Sequence, residues 1–357
     1  MLNSTAAIVD QPDRVDAAEL ADFLRHAGDQ LLGYHHLDYQ IGMTAILGDR
    51  FRQLILRDEA GKIAGYMPFR ERAGPAGNLV NALPFFGPNG LLAARDDHWR
   101  DRLLMAFRES MARPEVLVAV IYTPFLLPPE PIARVFRPDF RVPKETQYLD
   151  LTGPMFWPKA RRGDIRKAQH AGFTVRRSQS SDVHMLYQIY LQNCADAGIP
   201  TKPLSYFELT MGLAENKPDH PTSPLWLTAE LEGKIVAGLL TMRGPRVASY
   251  TIPIAAADVR SLQPTALLID IAIEQCRAAG LVRWNFESSP ARGDPVFKFK
   301  ERWGSQSSAY EIQGYYPNGA DLVQAISPTD LARSYPGYFA YPFRHMIEEK
   351  RLQNEHR

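Results

Sequence analysis

The segment VFKFKERWG (296–304) threads Lys298, Lys300 and Arg302 between the aromatic residues Phe297, Phe299 and Trp303. A cation wedged among aromatic side chains is positioned and partly stripped of water. Such a cation can stabilise an oxyanion forming on a tetrahedral carbon. The same alternation also suits an edge strand guarded by lysines, with Val296, Phe297 and Phe299 packing one way. Glu287 closes the strand-like run 282–287, and parallel-sheet enzymes place chemistry at such strand ends. Its carboxylate can accept a proton from an attacking amine, or it can cap the next turn through Ser288 and Ser289. A third candidate is KARRGDIRKAQHAGFTVRR (159–177), with seven basic residues (Lys159, Arg161, Arg162, Arg166, Lys167, Arg176, Arg177) against one acid, Asp164. Arg162, Arg166 and Gln169 share a helical face, where forked guanidiniums can hold phosphate oxygens in pairs. A solvated charged face is the plainer reading of the same run.

Other chemistries lack their residues. Histidines are scattered without HxxxH or HExxH spacing, and Cys194 and Cys276 have no Cys or His partner at metal-ligand distance, so no metal site is expected. GxSxG, GxxxxGK[ST] and GxGxxG are all missing, which argues against hydrolase, nucleotide triphosphatase and dinucleotide readings. Lys+Arg 41 against Asp+Glu 40 gives a net charge of +1, so non-specific polyanion binding, including DNA, is not expected. Asp10, Asp13 and Asp16 stand where a signal peptide needs an apolar run. No stretch has the roughly 20 apolar residues of a membrane span. The expectation is a cytoplasmic monomer or small homo-oligomer without integral membrane contact.

The elements that would position these residues are written twice. Residues 52–70 (RQLILRDEAGKIAGYMPFR) and 225–243 (LWLTAELEGKIVAGLLTMR) share two apolar runs around Gly-Lys-Ile and a closing Arg, at an offset near 170 residues. Each predicts a hairpin, with Gly61 and Gly233 supplying the turn. A further strand follows each (79–86 and 246–254), then an amphipathic helix (97–111 and 265–279), then a short apolar strand (116–124 and 281–290). The expected fold class is α/β with mixed sheets, divided into an N-terminal domain (1–155) and a C-terminal one (156–357) that begins with the basic helical linker.

The doubled unit, the linker and the segment 260–304 together resemble FemAB-like transferases of the GNAT (N-acetyltransferase) superfamily. The family's linker reads R-x-I-R-K-A-x-x-x-G, and its second unit carries a Pro-x-x-Leu-Leu helix, a Phe-Asp/Glu strand end and Phe-Lys-x-x-Phe/Trp-Gly. The resemblance covers about 45–315. It implies tandem GNAT-like domains and transfer of an acyl or aminoacyl group from an activated ester or thioester to an amine. Lys300 falls on the lysine that steadies the tetrahedral intermediate, with Glu287 and Tyr250, on strand 246–254, as the other catalytic candidates. Arg162, Arg166 and Lys167, with Phe299 and Trp303, fall at substrate-binding positions for a small or phosphate-bearing amine. The first unit is expected to be structural or to bind the acceptor.

One departure bears on the donor. The loop that holds coenzyme A pyrophosphate in an ordinary GNAT domain here reads RSLQPTA (260–266), where Pro264 removes an N–H and no glycine allows close backbone approach. Arg260 and Thr265 are the residues left to meet a phosphate. A bulkier donor, aminoacyl-tRNA or an acyl carrier protein, fits this loop better than acyl-CoA. The alternatives are an acyl-CoA-dependent N-acetyltransferase and a non-catalytic binding module. In the tail 334–357, Tyr335, Tyr338, Phe339, Tyr341 and Phe343 are expected to close a neighbouring core rather than to stack a nucleobase or line an acyl pocket.

Overall fold

The computed structural model describes residues 5–9, 15–28, 31–82, 92–290 and 292–338. In chain order they form β1 (Thr5–Val9), α1 (Ala17–His26), α2 (Leu37–Leu47), β2 (Arg50–Arg57), β3 (Ile63–Gly74), β4 (Gly77–Asn81), β5 (Ala93–Ala94), α3 (Asp97–Met111), β6 (Val116–Tyr122) and α4 (Pro129–Phe136). Next come β7 (Phe140–Asp150), α5 (Lys159–His170), β8 (Thr174–Arg177), α6 (Val183–Ala197), α7 (Leu204–Asn216), β9 (Leu225–Leu231), β10 (Lys234–Arg243) and β11 (Val247–Ala255). The chain ends with α8 (Pro264–Ala278), β12 (Arg283–Ser289), α9 (Pro295–Glu301), β13 (Gln306–Tyr315), α10 (Asp321–Gln324) and α11 (Pro328–Ser334).

The order hairpin, strand, helix, strand occurs twice, as β2–β3, β4, α3, β6 and as β9–β10, β11, α8, β12. In both copies the strands flanking the helix pair in parallel, β4 with β6 and β11 with β12. The two hairpins turn differently. Lys234 pairs with Leu231, so Glu232 and Gly233 form a two-residue turn with φ of 52° and 75°, the signs of a type I′ turn. The β2–β3 loop is longer, and Asp58 Oδ1 accepts from the amides of Ala60 and Lys62 at 3.0 Å each.

Two compact units result, and neither is a contiguous half of the chain. The first takes its residues from 1–28, 48–144 and 309–357, the second from 29–47 and 145–308. A single cut at 155/156 therefore does not describe them. The physical reason is that each copy borrows its last strand from the opposite half of the sequence. Residues 312–315 of β13 pair antiparallel with β6 in the first unit, and residues 145–150 of β7 pair antiparallel with β12 in the second.

Each unit has its own core. In the first, Phe69, Leu103, Phe107, Val116 and Phe136 pack between the sheet and α3 and α4. Tyr335 and Tyr338 close this unit: Tyr335 Oη donates to Gly77 O at 2.8 Å and Tyr338 Oη donates to Asp49. Phe339, Tyr341 and Phe343 lie outside the described residues. In the second unit Leu227, Leu239, Leu268, Ile269, Ala272, Trp284 and Phe286 pack around α8.

The segment 296–304 is helical through Glu301 and then turns, and it is not an edge strand. Asp294 caps α9 by accepting from Val296 N at 2.7 Å, and Pro295 occupies its first turn. Phe297 and Lys300 share the buried face at i, i+3, while Val296 is 51% exposed.

Candidate active site

The parallel strands β11 and β12 pair only at Val247↔Arg283, Ala248↔Trp284 and Ser249↔Asn285. β11 runs on to Ala255 and β12 to Ser289, so the strands part at the level of Ser249 and Asn285. Both strands are irregular there. The β10–β11 ladder passes from Leu240↔Ile252 to Thr241↔Tyr250 and leaves Thr251 without an opposite residue. The β12–β7 ladder passes from Asn285↔Tyr148 to Ser288↔Thr146, so Phe286 and Glu287 together face Gln147. Bulges bend a strand and re-aim its side chains. Glu287 takes φ of 61°, in the left-handed region that costs a non-glycine residue about 1 kcal/mol or more.

Glu287 is half-buried as a residue, but its Oε2 is fully buried without a partner of good hydrogen-bond geometry, as is Ser249 Oγ. Tyr34 Oη donates to Glu287 Oε1 at 3.2 Å. Tyr34 belongs to the short turn Gly33–His35 of the second unit, where a Cβ on Gly33 would come within 2.8 Å of Arg243 O. Burial pushes the Glu287 carboxyl up to about 7. Hydrogen bonding from Ser249 and Tyr34 and the charges of Lys300 and Lys202 oppose that rise. Burial likewise pushes Lys202 and Lys300 down to about 8, with the Glu287 charge resisting. Lys202 Nζ sits 5.0 Å from the centroid of the Tyr206 ring. The Tyr34 hydroxyl is driven well above its ordinary value by burial and then by Glu287, so it remains a donor. A carboxylate poised near neutrality at a strand split can take a proton from an amine.

The expected site residues do not all converge here. Lys300 is 3% exposed, and its Nζ donates to Glu287 O at 3.2 Å, Ser288 O at 2.7 Å and Ser289 Oγ at 3.2 Å. A direct contact to an oxyanion would require giving up one of these. Tyr250 packs against Trp284, Phe286 and Phe299, with ring centroids 6.4, 5.6 and 6.5 Å away, and burial raises its hydroxyl far above the ordinary value. Trp303 is a core residue, 1% exposed, against Trp157 and Phe286, in place of the expected substrate contact. Phe299 is partly buried under the guanidinium of Arg161, which lies 4.8 Å from that ring and 4.4 Å from Trp303.

Within the basic segment, Arg161, Arg176 and Arg177 are held by the protein itself. Arg161 is 1% exposed and donates to Asp164 and to Phe299 O, Arg176 pairs with Asp182 and Glu230, and Arg177 pairs with Asp219. Arg162, Arg166 and Lys167 are exposed on α5. Arg162 and Arg166 line a groove of about 520 Å³ with Trp157, Ile165 and Asp270, whose carboxylate accepts from Trp157 Nε1 at 2.6 Å. At the 260–266 loop Arg260 pairs with Asp196 at 2.6 Å, and Thr265 stands partly buried on the first turn of α8. Gln263 adopts φ of 65°, so this backbone takes the glycine-favouring conformation without glycine.

Among the described residues no group of three or more His, Cys, Asp or Glu side chains could hold a metal ion, and no helix is long and apolar enough to cross a membrane. Tyr34, Lys202, Thr146 and Asn285 were not foreseen from the sequence. Tyr34 and Lys202 come from distant segments, and no spacing announces them.

Residues 159–298 match the family described as the acetyltransferase (GNAT) domain. Among curated proteins, no sequence matches. Solved structures do. FemX aligns with a TM-score of 0.69 at 12% identity, over 90% of this chain and 99% of that one. The C-terminal domain of a putative lysylphosphatidylglycerol synthetase from Agrobacterium fabrum aligns with a TM-score of 0.54 at 16% identity, over 90% and 99%. A tandem GNAT protein of the clavulanic acid biosynthesis pathway aligns with a TM-score of 0.53 at 12% identity, over 88% and 99%. At these identities the likeness is one of fold.

Proposed function

We propose that this chain, a FemAB-like tandem GNAT fold whose residues 159–298 form a GNAT acyltransferase domain, moves an acyl or aminoacyl group from an activated ester or thioester onto an amine. The observation that carries the reading is Glu287, a carboxylate with one fully buried oxygen that lacks a partner of good hydrogen-bond geometry where β11 and β12 part. The acceptor amine attacks the donor carbonyl and passes its proton to Glu287. A nitrogen–carbon bond forms, and the carbonyl oxygen becomes an oxyanion. Collapse of the tetrahedral intermediate breaks the bond to the donor oxygen or sulfur, and the leaving group takes up the proton held by Glu287, which restores the carboxylate. The edge of β11 beyond Ser249 is open to an extended donor, and Thr251 in the bulge lies 3.4 Å, Oγ1 to Oη, from the Tyr34 hydroxyl that donates to the base. A proton-transfer group of this kind contributes roughly 10²–10⁴-fold to rate.

Arg162 and Arg166, at the rim of the groove floored by Trp157, are the proposed contacts to a phosphate-bearing acceptor. For the donor, Pro264 and the Arg260–Asp196 pair favour aminoacyl-tRNA or an acyl carrier protein. The left-handed Gln263 favours the second reading, acyl-CoA, because it gives the loop a backbone course that a glycine would otherwise supply. Transfer from a crude donor pool before and after ribonuclease separates aminoacyl-tRNA from the two thioester donors. Loss of transfer selects tRNA, and survival selects a thioester. Absence of product with every donor class overturns the catalytic reading.

A further inference from the structure

We infer that Lys300 is a positioning residue: its ammonium clamps the bulge that presents Glu287, and it acts on the reaction through that carboxylate. The inference rests on Glu287 being the base, and it assigns Lys300 a task other than meeting the oxyanion.

The hydrogen bonds point one way. An ammonium has three donors, and those of Lys300 reach Glu287 O, Ser288 O and Ser289 Oγ. Two are consecutive carbonyls of the strained turn, so the charge turns the backbone of 287–288 toward α9 and leaves the Glu287 side chain free to face Tyr34. The other side of the turn is fixed as well. Thr146 Oγ1 reaches Glu287 O at 2.9 Å and Asn285 Oδ1 at 2.7 Å, and Glu287 N donates to Asn285 Oδ1 at 3.0 Å.

The clamp is itself braced. Ser289 Oγ donates to Gln147 Oε1 at 2.8 Å, Gln147 Nε2 donates to Ser305 Oγ at 3.2 Å, and Ser305 Oγ donates to Lys300 O at 2.9 Å. This closed circuit joins β7, β12 and α9 around one buried cation. Burying a lone ammonium is costly unless its donors are satisfied, and here they are satisfied by the turn that carries the carboxylate. The charged and titratable groups facing Glu287 are Lys300 from α9, Lys202 from the segment before α7, and Tyr34 from the 33–35 turn, with Tyr206 of α7 further off.

The test follows the Glu287 carboxyl in the full chain without substrate. Protein labelled with ¹³C at glutamate carboxyls is titrated by NMR, and the resonance is assigned by its loss in Glu287→Gln. In Lys300→Met the titration should move up by about one pH unit or more, because a stabilising positive charge is gone. Lys300→Arg, which keeps the charge, should stay near the parent value. An unchanged titration in Lys300→Met overturns the inference, since the ammonium would then have no hold on the carboxyl it is said to position. A fall toward the ordinary carboxylate range overturns it too, since Lys300 would then merely seal out water. If Lys300→Met does not fold, the ¹⁵N ammonium signal of Lys300 is followed in Glu287→Gln. Its titration should drop from about 8, and constancy there overturns the coupling. A parent Glu287 that titrates in the ordinary range refutes the base assignment instead, while the shift between variants still judges the clamp.

Discussion

Glu287→Gln should make the folded protein more stable at neutral pH while removing its function. The carboxyl is pushed up to about 7 in the folded chain, by burial first, against 4.5 for an ordinary glutamate. The folded state therefore binds this proton more tightly than the unfolded chain does. Its contribution to stability is fully present below about pH 4.5 and is lost as pH rises through 7. Between pH 5 and pH 7.5 that linkage amounts to about 2 kcal/mol. Glutamine keeps the shape and sheds the charge, so its advantage over the parent should be about 2 kcal/mol larger at pH 7.5 than at pH 5. This range stays below most of the titration of Lys202 and Lys300, both near 8. Urea unfolding of both proteins at the two pH values measures the difference directly, provided the m-values agree. A gap between parent and variant that is the same at both pH values refutes the raised carboxyl and, with it, the reason for regarding Glu287 as poised.

Three further outcomes follow. Arg161→Met should cost about 3 kcal/mol or more in urea unfolding, because it leaves Phe299 O without its side-chain donor, leaves Asp164 with only the longer contact from Arg302, and removes a cation from between two rings; Arg161→Lys should not restore it. Gln263→Gly should gain about 1 kcal/mol, seen as a higher Tm, because the left-handed backbone at 263 then carries no side-chain penalty. Tyr34→Phe removes a hydrogen bond that favours the ionised carboxylate, so the Glu287 titration should rise by up to about one unit, read by the same carboxyl NMR.

Local pattern carried much of the fold into the sequence. The helix expected at 97–111 is α3, and both Gly-Lys-Ile segments turn hairpins, because glycine placement and apolar periodicity act within a few residues. The strand exchange through β7 and β13 was not legible, since pairing between segments 133 or more residues apart leaves no local trace. The α9 helix was legible and misread: Asp294 and Pro295 form an N-cap and first-turn pair that outweighs the alternation of 296–302. On α5 the i, i+4, i+7 set of Arg161, Ile165 and Ala168 marked the buried face, so Arg161 is the structural arginine and Arg162 and Arg166 are the exposed ones. Glu287 was singled out from its strand end. Tyr34 and Lys202 were not, because only the folded chain brings segments 29–47 and 199–203 into one unit with it.

The most direct test of the base at the β11–β12 split is the pH dependence of kcat/KM for acyl transfer, once a donor from the ribonuclease experiment is in hand. In the parent protein the rate should rise with pH through about 7, as Glu287 ionises. Glu287→Gln should lose that limb and fall by roughly 10²–10⁴-fold. A folded Glu287→Gln that keeps both the limb and near-parent turnover would contradict the assignment.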